Sequence, residues 1–172
     1  MYNIPTSVND NYKTKRKGNP IVFILFVLPI SIVLFILGIT NIKIYNTHGH
    51  SMQPTINDES IVVCVKSKEI NIGDIVAFDS RGETKIKRII AKSGDSVDIN
   101  NKGEVLVNGK IIQEPYLSST VFGESEIPFP HTVSNNSFFV LGDNRGNSLD
   151  SRHYSIGDIR IDNIICKVKY VI

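Results

Sequence analysis

Thr84-Lys85-Ile86-Lys87-Arg88-Ile89-Ile90 reads as a strand. The period of two puts Lys85, Lys87 and Ile89 on one face and Ile86, Arg88 and Ile90 on the other. Outward from it the same texture repeats, in β-type runs at 61–65, 75–78, 96–99, 105–107, 138–141 and 164–171. Turn chemistry separates them: Gly73-Asp74, Ser80-Arg81-Gly82, Gly94-Asp95, Asn101-Lys102-Gly103 and Gly142-Asp143. Asn108-Gly109, between Val107 and Ile111, is a two-residue hairpin signal. No segment beyond residue 40 sustains a helical period, so the predicted fold is mainly β, a barrel or sandwich. Residues 116–137 are poorer in strand signals, carry Pro128 and Pro130, and are expected to form a lid-like excursion. A domain of about 130 residues buries a core without staples.

Upstream lies Ile21 to Thr40, IVFILFVLPISIVLFILGIT, without a charge and with only Ser31 and Thr40 as polar groups. At about 1.5 Å per residue, a helix of this length covers about 30 Å, one bilayer core. A buried core helix would carry a polar stripe, so one transmembrane helix is predicted, kinked near Pro29. The run is longer than a signal-peptide core and no A-x-A follows it, so it reads as a permanent anchor. Lys13, Lys15, Arg16 and Lys17 precede it and Lys43 follows. The positive-inside rule then gives a cytoplasmic tail at 1–20, a helix at 21–40 and an extracytoplasmic β-rich domain at 41–172. Residues 1–12 are polar and unpatterned, and disorder is expected there.

The net charge of +2 includes four basic residues of that topogenic cluster. The exported part therefore has no positive excess that would point to nucleic acid as a partner. Cys64 and Cys166 sit in the apolar runs IVVCV and NIICKV, outside the membrane, where a disulfide is permitted. Their surroundings make two free buried thiols the simpler expectation, since spacing alone does not supply bonding geometry.

The chemistry begins with Ser51, in Ser51-Met52-Gln53-Pro54-Thr55 about ten residues past the apolar run. A serine hydroxyl is a weak nucleophile until a base takes its proton. Lys87 supplies a base only if neutral, which burial among apolar neighbours would favour; a solvated edge lysine is the plain alternative. The stretch Gly142-Asp143-Asn144-Arg145-Gly146-Asn147-Ser148-Leu149-Asp150-Ser151-Arg152 is dense in groups that form charge-assisted pairs, and such a loop could brace a lysine. Asp143, Arg145 and Asn147 fall at calcium-loop spacing, but an arginine at the third position and Tyr154 at the bidentate position exclude that loop. No histidine has metal-ligand spacing, and no cofactor is expected. His50 adjoins Ser51, but neighbours in extended chain point apart, so His50 is not taken as a base.

The anchor, GHSMQPT at 49–55, GDIVAF at 73–78, KIKRII at 85–90 and GDNRGNSLDSR at 142–152 together resemble the type I signal peptidases. These are membrane-bound serine endopeptidases that remove signal peptides from exported proteins. The resemblance covers nearly the whole chain. It implies Ser51 as nucleophile, Lys87 as general base and Ser148 as the hydroxyl that orients the lysine amine. It also implies Asp143, Arg145, Asp150 and Arg152 as a structural polar network, with Arg88 accompanying the lysine. The Ser51 amide would donate to the oxyanion. The family's second donor is often a serine hydroxyl where this chain has Gly49, which leaves a backbone group as the substitute. Tyr45, Thr47, Met52, Ile56 and Ile86 are the candidates for the small pockets that select alanine-like side chains. The implied partners are preprotein signal peptides, the lipid bilayer and the secretion translocon.

The chain departs from the family's usual continuation after Ile90, where Ala91-Lys92-Ser93 stands, and after Arg152, where His153-Tyr154-Ser155 stands. Cys166 takes a position where glycine is common, which argues for a free buried thiol. Lysine at the base position fits the bacterial, mitochondrial or chloroplast type, since the endoplasmic-reticulum branch has histidine there. The single anchor and short chain resemble the small Gram-positive enzymes. A pilin- or conjugation-specific peptidase of the same chemistry and an inactive signal-peptide-binding homologue remain as alternatives. A self-cleaving repressor-type Ser-Lys protease fits less well, given the anchor and the 142–152 loop.

Overall fold

The computed structural model describes residues 23–39, 41–119 and 121–172. The polar tail at 1–12, the basic cluster at 13–17 and the first residues of the apolar run lie outside them. The chain divides between Ile39 and Thr40 into two compact units.

The first unit is a π-helical turn, Phe23–Val27, running into α1, Leu28–Ile39. Pro29 is the second residue of α1. It lacks an N–H, so a carbonyl of the preceding helical turn loses that donor, and the change from π- to α-helix falls beside it. Where a kink is expected near Pro29, the described residues show a change of helix type. Large apolar side chains from Ile24 to Ile36 are exposed. Among the described residues no helix is long and apolar enough to cross a membrane.

The second unit is mainly β. Its strands are β1 Ile42–Asn46, β2 Ile61–Val65, β3 Ile75–Ser80, β4 Glu83–Lys92, β5 Ser96–Ile99, β6 Val105–Val107, β7 Lys110–Ile111, β8 His131–Thr132, β9 Ser137–Leu141, β10 Ile159–Arg160 and β11 Ile164–Val171. They form a seven-stranded sheet in the order β1-β2-β11-β3-β4-β9-β10 and a four-stranded sheet in the order β7-β6-β5-β8. The pairings are antiparallel. The alternation read in 84–90 has its consequence in the core. Ile89 packs with Val76, Phe78, Val140 and Ile159. Ile90, its neighbour, packs instead with Val97 and Val105 of the small sheet and Phe139 and Leu141 of β9. One strand therefore feeds two clusters, and the second of them joins the sheets.

Cys64 in β2 and Cys166 in β11 form a disulfide, with Cα atoms 5.6 Å apart, and this corrects the expectation of two free thiols. Register is the reason. β11 lies against β2 with Val168 opposite Cys64, so Cys166, two residues earlier, reaches the same face of the neighbouring strand. The bridge packs beneath Tyr45 and Ile86. It closes a sequence separation of 102 residues. Replacing both cysteines by alanine should therefore destabilise the domain by about 2–4 kcal/mol. The readout is the urea midpoint, and an unchanged midpoint would show the bridge to be energetically idle.

The excursion after β7 is pinned rather than lid-like. The Glu126 and Ile127 amides donate to Arg152 O at 2.9 and 3.2 Å, and Arg152 Nη1 donates to Phe122 O.

Candidate active site

β4 pairs with β3 from Glu83 to Arg88, but with β9 only from Arg88 onward. Its other edge, from Thr84 to Lys87, has no strand partner among the described residues and opens on a cleft of about 500 Å³. The facing wall is the segment from Tyr45 to Met52. That segment leaves β1, passes Gly49 at φ +99° and enters a turn closed by Gln53 N–H to His50 O (3.2 Å) and Ile56 N–H to Met52 O (2.9 Å). Met52 and Ile56 anchor the turn by burying against Val62. Ser51 directly precedes the buried Met52, and its hydroxyl faces Lys87 of β4.

Lys87 Nζ donates to Ser51 Oγ at 2.7 Å and to Ile86 O at 3.0 Å. The lysine is 5% exposed. Its removal from water is the main cause that lowers its pKa from 10.5 to about 8. Asp150 and Asp143 pull the value back up and Lys85 pushes it down. A hydroxyl in contact with an amine that is half neutral near pH 8 is an arrangement able to deprotonate serine.

The 142–152 loop closes on this pair from behind. Asn144 N–H donates to Ser51 O at 3.0 Å, and Asn144 Nδ2 to His50 O at 3.1 Å. Asp143 accepts a fork from Arg88, Nε to Oδ1 at 2.8 Å and Nη2 to Oδ2 at 2.6 Å, and a further bond from the Thr55 hydroxyl. Asp150 and Arg152 are both fully buried and paired, with Nε to Oδ1 at 2.7 Å and Nη2 to Oδ2 at 2.8 Å. Asp150 Oδ2 also accepts the Gly142 amide at 3.0 Å. A desolvated ion pair contributes little net stability, but a loop built on one has a single low-energy geometry. Arg145 Nε donates to Gly142 O at 3.0 Å, and its other nitrogens fork onto Glu114.

The structure thus brings Ser51, Lys87, Arg88, Asp143, Arg145, Asp150 and Arg152 into one cluster. Ser148 is less simply placed. Its Oγ is shielded from water, has no hydrogen-bond partner and lies against Gly142 rather than bonded to Lys87. Gly49 donates its N–H to Asp58 Oδ1 at 2.8 Å, so that amide is already used. The Ser51 amide has no acceptor among the described residues. Tyr45, Thr47, Met52, Ile56 and Ile86 all line the cleft, and Asn147 and Leu149 line it with them. The sequence offers no site role for Glu114, Tyr116, Asn144 and Leu149, and it weighs Asn147 only as a calcium-loop position. The two asparagines and Leu149 lay within or beside a quoted motif, whereas Glu114-Pro115-Tyr116 carried no signal.

A family model described as signal peptidase, peptidase S26, matches residues 21–172. Signal peptidase I U of Bacillus subtilis (strain 168) is 32% identical over 157 residues, covering 82% of this chain and 81% of its own. Signal peptidase IB of Staphylococcus aureus (strain Mu50 / ATCC 700699) is 32% identical over 159 residues, covering 81% and 82%. Among solved structures, a signal peptidase I from Enterococcus faecalis V583 superposes with a TM-score of 0.52 at 28% identity, covering 60% of this chain and all of its own.

Proposed function

The chain belongs to the S26 signal peptidase family as a serine endopeptidase of the signal peptidase I type, and we propose that it cleaves preproteins after an A-x-A site through a Ser51–Lys87 dyad. The observation that carries this reading is the 2.7 Å contact between a water-shielded lysine and Ser51 Oγ. The signal-peptide end of the substrate lies extended along the unpaired edge of β4, as an added strand opposite the 45–49 segment. Tyr45, Thr47, Met52, Ile56 and Ile86 line the cleft beside that strand, and in this reading they form the pockets that take small side chains.

Neutral Lys87 takes the Ser51 proton as Oγ attacks the scissile carbonyl. The Ser51 N–H, free of an internal acceptor, stabilises the oxyanion. Collapse expels the mature protein's amine, which takes the proton from Lys87 and leaves an acyl-enzyme. Lys87 then activates the water that releases the signal peptide. Ser148 is the candidate orienting hydroxyl, since its buried Oγ is uncommitted and available to the amine in the substrate complex. Asp143, Arg145, Asp150, Arg152 and Arg88 hold the loop that backs the dyad. The uncharged run at 21–40 anchors the enzyme in a membrane with its N-terminus in the cytoplasm, beside a translocon that delivers the substrate.

Cleavage of a preprotein bearing an A-x-A site, followed across pH, tests this directly. Lys87 works only when neutral, so kcat/KM should fall about tenfold per pH unit below about 8 and level off above it. Cleavage should follow the second alanine and be lost when that alanine is made bulky. A profile flat from about pH 6 to about pH 9 would remove lysine as the base.

A further inference from the structure

We propose that Glu114 and Tyr116 are positioning residues of the cleavage reaction, holding the loop behind Ser51 and the arginine beside Lys87 from one short segment. The inference rests on the dyad reading above. Glu114 is 7% exposed and Arg145, which forks onto it, 1% exposed. The same carboxylate accepts the Tyr116 hydroxyl at 2.7 Å. From there two arms reach the site. In the first, Arg145 Nε holds Gly142 O, and Gly142 packs directly against Ser51 O. In the second, the Tyr116 ring lies 3.9 Å beneath the Arg88 guanidinium, which forks onto Asp143 and also donates to Gly73 O at 2.9 Å.

Neither Glu114 nor Tyr116 lines the cleft, so contact with substrate does not account for them. Each arm ends beside a member of the dyad, the first at Gly142 against the Ser51 carbonyl and the second at Arg88 next to Lys87. Arg88 follows Lys87 on β4, and Asn144, beside Asp143, donates to the Ser51 carbonyl. The two arms leave one short segment, and together they fix the separation between nucleophile and base.

Glu114→Gln keeps the shape but leaves the Arg145 charge unpaired, and the first arm slackens. In the full chain in detergent with lipid, kcat on a preprotein should drop about 10- to 100-fold while KM stays within about threefold, because the substrate edge is untouched. Tyr116→Leu removes the ring beneath Arg88 and should lower kcat about tenfold. Tyr116→Phe retains the ring and should stay within about twofold of wild type. This rescue by the conservative ring is a readout that lost stability would not give. Wild-type kcat in folded Glu114→Gln, or equal losses in the Leu and Phe variants, would overturn the proposal. Should Glu114→Gln fail to fold, the Leu and Phe comparison decides alone. Retained activity in Ser51→Ala would instead remove the dyad, so the two failures are separable.

Discussion

Ser51→Ala and Lys87→Ala should each lower preprotein cleavage by about 10⁴-fold or more, the loss seen when one member of a nucleophile–base unit is deleted. The two deletions should not add, since each leaves the other partner without a function. Ser51→Ala removes a single side-chain hydrogen bond, to Lys87, and should leave the fold intact. Lys87→Ala empties a site that is 5% exposed and would leave a void among Ser51, Ile86 and the 142–152 loop. Lys87→Met fills nearly the same volume without an amine, so it separates chemistry from packing. Both lysine variants should be inactive, with Lys87→Met the more stable of the two by urea unfolding. Measured kcat/KM within tenfold of wild type in any of these proteins, at a pH above 8, would mean that another group activates the nucleophile.

Strand-type texture carried most of the fold, through alternation in β2 and an unbroken apolar run in β9, which is buried along its whole length. The Asn108-Gly109 hairpin signal marked β7 opposite β6, but β8 and β10, each two residues long, are too short for a period to register, and β1 is also missed. β1 begins just past the apolar run, where no strand is read from sequence, and its Ile42 and Ile44 are exposed, so burial did not mark them either. Motif chemistry singles out Ser51, Lys87 and the 142–152 loop, which lie together in the fold, because their side chains are dense and unusual. Glu114 and Tyr116 were invisible for the opposite reason. A single carboxylate in a polar loop looks solvated until tertiary structure lays a buried arginine on it. The disulfide escaped on the same ground: it depends on β2 and β11 being neighbours in the sheet, which no local pattern encodes.

Gly142→Ala is the substitution outside the dyad for which the largest loss of turnover is expected, and the reason is space. A Cβ at Gly142 would stand 2.5 Å from Ser51 O and closer still to Ser148 Oγ. The serine hydroxyl could rotate aside, but a backbone carbonyl moves only with its residue. The glycine has no room to retreat, since its N–H is bound by Asp150 at 3.0 Å and its carbonyl by Arg145 at 3.0 Å. The added methyl must therefore shift Ser51 relative to Lys87 or break the bonds that hold the loop. A displacement of about 1 Å at the nucleophile is enough for roughly a 10²-fold loss in kcat, against a stability change of about 1–3 kcal/mol from overpacking. Gly146→Ala is the control in the same loop: its Cβ would meet nothing nearer than Val121 Cγ1 at 3.4 Å, an ordinary contact. Turnover in Gly146→Ala should stay near wild type while that in Gly142→Ala collapses in protein that still unfolds cooperatively. Equal turnover in the two would mean that the loop packs behind Ser51 without setting where the nucleophile stands.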